Sequence, residues 1–166
     1  MLSIKIADII DLPVIHDLAH RIWPVAFANI LSPEQLKYML EKMYSPDSLQ
    51  NQFVVSQHNF ILVFDEQIPV GFASFSPKEK NSDIYRLHKI YILPQQQGSG
   101  TGKLLLTHII NSIKTSGASS LELNVNRRNI ARLFYEKQGF AITGEEDIDI
   151  GHGYFMNDYV MELAFN

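Results

Sequence analysis

The stretch Ile90-Tyr91-Ile92-Leu93-Pro94-Gln95-Gln96-Gln97-Gly98-Ser99-Gly100-Thr101-Gly102-Lys103 narrows the possible folds most. An apolar, β-rich run stops at Pro94. Glycines follow at alternate positions. Then Leu105, Leu106, Ile109, Ile110 and Ile113 recur at helical spacing. A strand therefore passes through a glycine loop into a helix N-terminus. Residues without Cβ let backbone approach a ligand closely. The first turn of the helix adds unpaired N–H groups and a positive dipole end. That combination suits an anion, most naturally phosphate or pyrophosphate.

Three phosphate-binding patterns compete for this loop. A P-loop needs glycine where Gln97 stands and Ser or Thr where Leu104 stands, so it fails. A dinucleotide fingerprint needs its glycines directly after the strand, with the last one at Lys103. The third pattern, Gln/Arg-x-x-Gly-x-Gly/Ala, is matched by Gln97, Gly100 and Gly102 without a gap. It resembles the pyrophosphate loop of the GNAT superfamily, the acyl-CoA-dependent N-acetyltransferases. Asn129-Ile130-Ala131 through Tyr135-Glu136 to Gly139-Phe140 resembles a second segment of that family, Asn-x-Ala-…-Tyr-Glu-x-x-Gly-Phe. The two motifs come in the family's order and at its usual distance. The likeness covers roughly residues 60 to 163. The ending Asp147 to Met161 is similar to that of small bacterial members, including polyamine acetyltransferases of the PaiA kind.

Composition narrows the alternatives. The 166 residues suit one domain, so residues 1–166 are expected to form a single GNAT domain. With 46% hydrophobic and 19% charged residues, a packed core is expected and disorder is not. A net charge of −4 without a basic run speaks against nucleic acid as the main partner. Absence of cysteine removes disulfides, thiolate metal sites and a cysteine nucleophile. No run approaches the length of a membrane span, and the N-terminus carries no signal-peptide pattern. The sequence reads as cytoplasmic, with homodimerisation left open.

The element pattern is α/β with a mixed sheet. Residues 2–6 alternate as a short strand. A helix follows after Asp8 or Asp11, and Trp23-Pro24 is expected to end it. Ser32-Pro33 and Ser45-Pro46 start two more helices. Residues 60–64 and 68–75 form a hairpin. The next strand is expected over Ile84–Leu93. Leu121, Leu123 and Val125 alternate with Glu122, Asn124 and Asn126 on a further strand. A helix is expected from Arg127 to Lys137. Two strands meeting at Gly151-His152-Gly153 close the chain.

The resemblance implies a central, mostly antiparallel sheet of about seven strands flanked by helices, splayed between the fourth and fifth strands. It also implies roles. Gln97 and the backbone of Gly98, Ser99, Gly100, Thr101, Gly102 and Lys103 would hold the acetyl-CoA pyrophosphate. Ile90, Tyr91 and Ile92 would pair with the pantetheine arm, with an N–H near Ile90 polarising the thioester carbonyl. Asn129 would contact pantetheine, and it equally suits a helix cap. Tyr135 would protonate the leaving thiolate.

The acceptor, a small amine, polyamine or peptide N-terminus, must lose a proton before attacking. His88, on the same strand face as Ile90 if alternation is regular, is favoured as base over Glu122. Family members carry a carboxylate where this chain has Asn124 or Arg86, which leaves that assignment open. No metal is implied. The alternative function is an acyl-CoA-binding sensor without turnover. It would be marked by loss of Tyr135, which is present.

Overall fold

A computed structural model describes residues 1–166. Its strands are β1 (Leu2–Ile6), β2 (Asn59–Asp65), β3 (Ile68–Pro77), β4 (Ile84–Ile92), β5 (Ser120–Asn126), β6 (Ala141–Gly151) and β7 (Tyr154–Ala164). They form one seven-stranded sheet in the order β1-β2-β3-β4-β5-β7-β6. β4 and β5 run parallel, whereas β1–β2, β2–β3, β5–β7 and β6–β7 are antiparallel. The helices are α1 (Leu12–Ala26), α2 (Pro33–Tyr44), α3 (Pro46–Val54), α4 (Thr101–Thr115) and α5 (Ala131–Lys137). The α/β class and the mixed, mostly antiparallel sheet agree with expectation. Contacts gather the chain into two compact units, Met1–Ser76 with Lys89–Ile109, and Pro77–His88 with Ile110–Asn166.

In the first unit, α1 buries Ile15, Leu18, Ala19 and Ile22, one face at helical spacing. Ser32 caps α2 by accepting from Gln35 N at 3.1 Å, and Ser45 caps α3 by accepting from Ser48 N at 3.2 Å. The end expected at Trp23-Pro24 is wrong: α1 continues to Ala26 with Pro24 inside it. The bias before proline is local, and packing overrides it here. Trp23 is buried, with its ring centroid 4.5 Å from Phe27, 5.4 Å from Tyr44 and 5.5 Å from Tyr91. Staying helical keeps Trp23 in that cluster. Phe27 N then donates to Trp23 O at 2.9 Å and closes the last turn.

β4 ends at Ile92, one residue short of expectation, because Pro94–Gln96 turns as a 3-10 segment. Gly71 of β3 has a packing reason. A Cβ there would lie 2.8 Å from the Tyr91 carbonyl oxygen, so any side chain would push β4 backbone aside.

In the second unit the parallel register runs from Ile84↔Ser120 to Leu87↔Leu123. β5 alternates over most of its length: Leu121, Leu123 and Val125 are buried on one face, and on the other Asn124 and Asn126 are half-exposed while Glu122 is buried. The β6–β7 turn falls at His152 (φ 54°) and Gly153 (φ 77°). Two left-handed residues in succession match the twist of a tight hairpin.

The helix expected from Arg127 begins only at Ala131. Residues 127–130 form a turn because two asparagines satisfy the backbone locally. Asn126 Oδ1 accepts from Arg128 N, and Asn129 Oδ1 accepts from Ala131 N, each at 2.9 Å. Such side-chain bonds compete with helix formation.

Candidate active site

The glycine loop is held by its own side chains. Ser99 Oγ donates to the Gln96 carbonyl and lies 2.8 Å from Thr101 Oγ1. Thr101 is buried, and its hydroxyl reaches Gln96 Oε1 at 3.4 Å. Gln96 Nε2 in turn donates to Asp65 Oδ2 at 3.3 Å. The sequence motif gives a role to Gln97 and none to Gln96. The structure makes it the organiser of the loop. Gly98 (φ 78°) and Gly100 (φ 84°) adopt left-handed backbone that only glycine takes without strain. A Cβ at either would meet nothing within 4 Å, so both α-carbons face open space.

Leu104 N donates to Gly100 O at 3.0 Å and begins the helical ladder. The N–H groups of Thr101, Gly102 and Lys103 precede it, with no carbonyl one turn behind them. Rigid support, absent side chains and unspent donors together make a fitting cradle for a pyrophosphate.

On β4 the faces separate cleanly. Leu87 and Lys89 are buried, while His88 and Ile90 are half-buried. Lys89 is the residue that sequence reading missed. Its alternation with Leu87 and Tyr91 is the signal that puts it on the inner face. Its Nζ donates to Gln52 Oε1 at 2.7 Å and sits 5.3 Å from the Tyr44 ring centroid. Burial lowers its pKa from 10.5 to about 8. Burial, with the Lys89 charge second, also lowers His58 to about 4.

The unfolded chain therefore binds more protons than the folded one between about pH 8 and 10.5, and Lys89 makes stability rise with pH across that window. Below it the full cost of burying the charge is present. Lys89→Met is expected to stabilise the protein at pH 7 by up to a few kcal/mol. The gain over wild type, read from thermal or urea melts, should shrink as pH rises from 8 to 10. A less stable variant at pH 7 would show that the Gln52 bond and the Tyr44 face outweigh desolvation.

The second unit carries the remaining predicted residues. Tyr135 is buried in α5, edge-on to Phe134 and Phe140. Burial pushes its phenol well above the ordinary value of 10, so it stays protonated through any assay range. Asn129 Oδ1 accepts from Ala131 N in the turn that leads into α5. Glu122 is spoken for: Oε1 accepts from Arg86 at 2.9 Å and Oε2 from Lys78 at 3.1 Å. Both of its oxygens are thus engaged by cations. His88 is half-buried at the end of the β4 segment in this unit.

The acidic residues of the last hairpin also have local tasks. Asp147 pairs with Arg127 at 2.6 Å, and Asp149 accepts from Gly151 N at 2.9 Å. They are therefore less free to attract a substrate than their number suggests.

Comparison with known proteins decides the family. The profile of the acetyltransferase (GNAT) domain matches residues 27–162. The chain belongs to the GNAT family. Spermidine N(1)-acetyltransferase of Thermoplasma acidophilum is 28% identical over 169 residues, covering 99% of this chain and 98% of that protein. The [ribosomal protein bS18]-alanine N-acetyltransferase of Haemophilus influenzae is 34% identical over 129 residues, covering 78% and 81%. The crystal structure of PaiA N-acetyltransferase from Thermoplasma acidophilum in complex with coenzyme A aligns with a TM-score of 0.83 at 26% identity, over 99% of both chains.

This GNAT protein is an acetyl-CoA-dependent N-acetyltransferase that moves an acetyl group to an amine. The first unit holds Ile90, Tyr91, Ile92 and the whole of Gln97–Lys103, and the second holds His88, Asn129 and Tyr135. No helix is long and apolar enough to cross a membrane.

Proposed function

We propose that residues 1–166 work as a single acetyltransferase domain that acetylates a primary amine by direct attack on acetyl-CoA. The acceptor is a small amine or polyamine, or a peptide N-terminus. The names of the relatives support both kinds, spermidine on one side and a ribosomal-protein alanine on the other. The observation that carries the reading is the glycine loop: two left-handed glycines open to solvent, just ahead of a helix N-terminus, whose first N–H groups have no intrahelical acceptor.

Gln97 and the backbone of Gly98 to Lys103 hold the pyrophosphate. Ile90, Tyr91 and Ile92 align the pantetheine arm, a reading supported by their place on β4 beyond Leu87, where the parallel ladder with β5 ends. Asn129 contacts the arm from the turn ahead of α5. Tyr135 protonates the departing thiolate. The protein acts in the cytoplasm, as monomer or homodimer, without a nucleic-acid or membrane partner.

His88 takes the proton from the acceptor. Its alternation with Ile90 along β4 supports this role, and the ion pairs of Glu122 with Lys78 and Arg86 favour it over Glu122. An ordinary imidazole titrates near about 6.5. The kcat/KM profile should therefore rise through about pH 6 to 7, and His88→Ala should remove that limb. A limb that survives in His88→Ala and vanishes in Glu122→Gln would move the role to Glu122. A limb that survives in both would give it to water. A screen of primary amines with acetyl-CoA and a thiol-detecting reagent identifies the acceptor. No amine-dependent release of CoA across the panel would refute the transferase reading.

A further inference from the structure

Beside β5, the neighbouring strand β7 carries one group whose chemistry is unfinished. Asp158 of β7 is 1% exposed. Its Oδ2 accepts from Asn124 Nδ2 at 3.3 Å, and its Oδ1 is buried without any hydrogen-bond partner. A carboxylate oxygen shut away from water and left unpaired costs free energy, so a native fold that keeps one calls for an explanation. The surroundings do not neutralise it locally. Asn124 Oδ1 is taken by Arg86 Nη2, and Arg86 also binds Glu122. Arg127 Nη1 donates to the Asp158 main-chain carbonyl, while its Nη2 pairs with Asp147. Across the ladders Asp158 lies opposite Asn126 of β5 and Glu146 of β6. Arg86, Arg127 and Glu146 are therefore the charged groups that act on it. Burial raises its pKa, with Glu146 adding to the rise and Arg127 and Arg86 opposing it.

We infer that Asp158 is an acceptor-binding residue, whose Oδ1 receives an N–H of the substrate's alkylammonium group. An ammonium supplies both things the oxygen lacks, a donor and a positive charge, in a charge-assisted bond. The position fits the chemistry. Asn124, one hydrogen bond away, is half-exposed, and Arg86 keeps a quarter of its side chain open, so Oδ1 lies beneath partly open side chains and a small cation reaches it when one of them shifts aside. The inference rests on the transferase reading for the identity of the ligand, but not for the existence of the site.

The test titrates 1,4-diaminobutane into the CoA-loaded protein by calorimetry. Asp158→Asn keeps the shape and an oxygen for Asn124 while deleting the charge. It should weaken diamine binding at least about tenfold, and CoA affinity should stay within about twofold. Equal diamine affinity in a folded Asp158→Asn protein overturns the inference, as does a wild type that binds no diamine at millimolar concentration. A loss of diamine and CoA affinity in step would also overturn it, because that is the mark of a merely structural residue.

If Asp158→Asn does not fold, carboxyl NMR on the unmodified protein decides. A bound ammonium favours the ionised form, so saturating diamine should lower the Asp158 pKa, and an unchanged pKa refutes contact. The two readings fail differently. Diamine binding that depends on Asp158 without CoA release from any amine removes the transferase and leaves the site. Normal turnover with diamine binding indifferent to Asp158 removes the site and leaves the transferase.

Discussion

Gly100→Val is expected to cut acetyl-CoA affinity by well over about tenfold, more than 1.4 kcal/mol. Two effects add. A β-branched residue at φ 84° is strained, at a cost of about 1–2 kcal/mol, and relieves the strain by moving the loop. Its methyl groups would also project into the open space that both loop glycines face. A control separates strain from lost binding. Gly153 has nearly the same backbone, φ 77°, and equally open surroundings, but lies in the β6–β7 turn. Gly153→Val should lower the melting temperature and leave acetyl-CoA affinity unchanged. Equal affinity in wild type and folded Gly100→Val would remove the cofactor assignment.

Tyr135→Phe should lower kcat by about 10²- to 10⁴-fold, with acetyl-CoA affinity within a few-fold of wild type. The ring keeps its packing on Phe134 and Phe140 and loses only the proton. Burial makes the phenol a weaker acid, which alone would slow proton donation. A thiolate leaving into the same dry environment becomes more basic for the same reason, so the match between donor and acceptor survives. Full activity in the variant would assign the proton to water. A parallel loss of affinity and kcat would make Tyr135 a packing residue.

What the sequence disclosed follows the range of the forces involved. The strand–loop–helix handover around Gly98, Gly100 and Gly102 was legible because backbone conformation and the lack of Cβ are local properties. So were the serine caps of α2 and α3 and the alternation of β5. The errors arose where distant contacts outvote local preference. Trp23 keeps α1 helical across Pro24 because two aromatic rings from other elements, Tyr44 of α2 and Tyr91 of β4, hold it. The start of α5 was placed four residues early because Asn126 and Asn129 bond their own backbone, which periodicity does not register.

The candidate site divides in the same way. Its glycines and tyrosine stand in linear motifs. Lys89 and the pairing of Asp158 with Asn124 exist only once strands lie side by side. The alternation of Leu87, Lys89 and Tyr91 was visible in the chain, but a lysine on an apolar face reads as an irregularity until Gln52 and Tyr44 are found beside it. Glu122 illustrates the converse. By spacing it was a fair proton acceptor, and only the fold brings Lys78 and Arg86 to both of its oxygens.

Initial rates of CoA release, measured while acetyl-CoA and the selected amine are both varied, test the central claim most directly. Direct attack requires both substrates on the protein together, so reciprocal plots should intersect, with one N-acetylamine formed for each CoA released. Parallel lines would mean that an acetylated protein forms first. CoA release that does not depend on the amine would mean that the protein does not transfer the acetyl group at all.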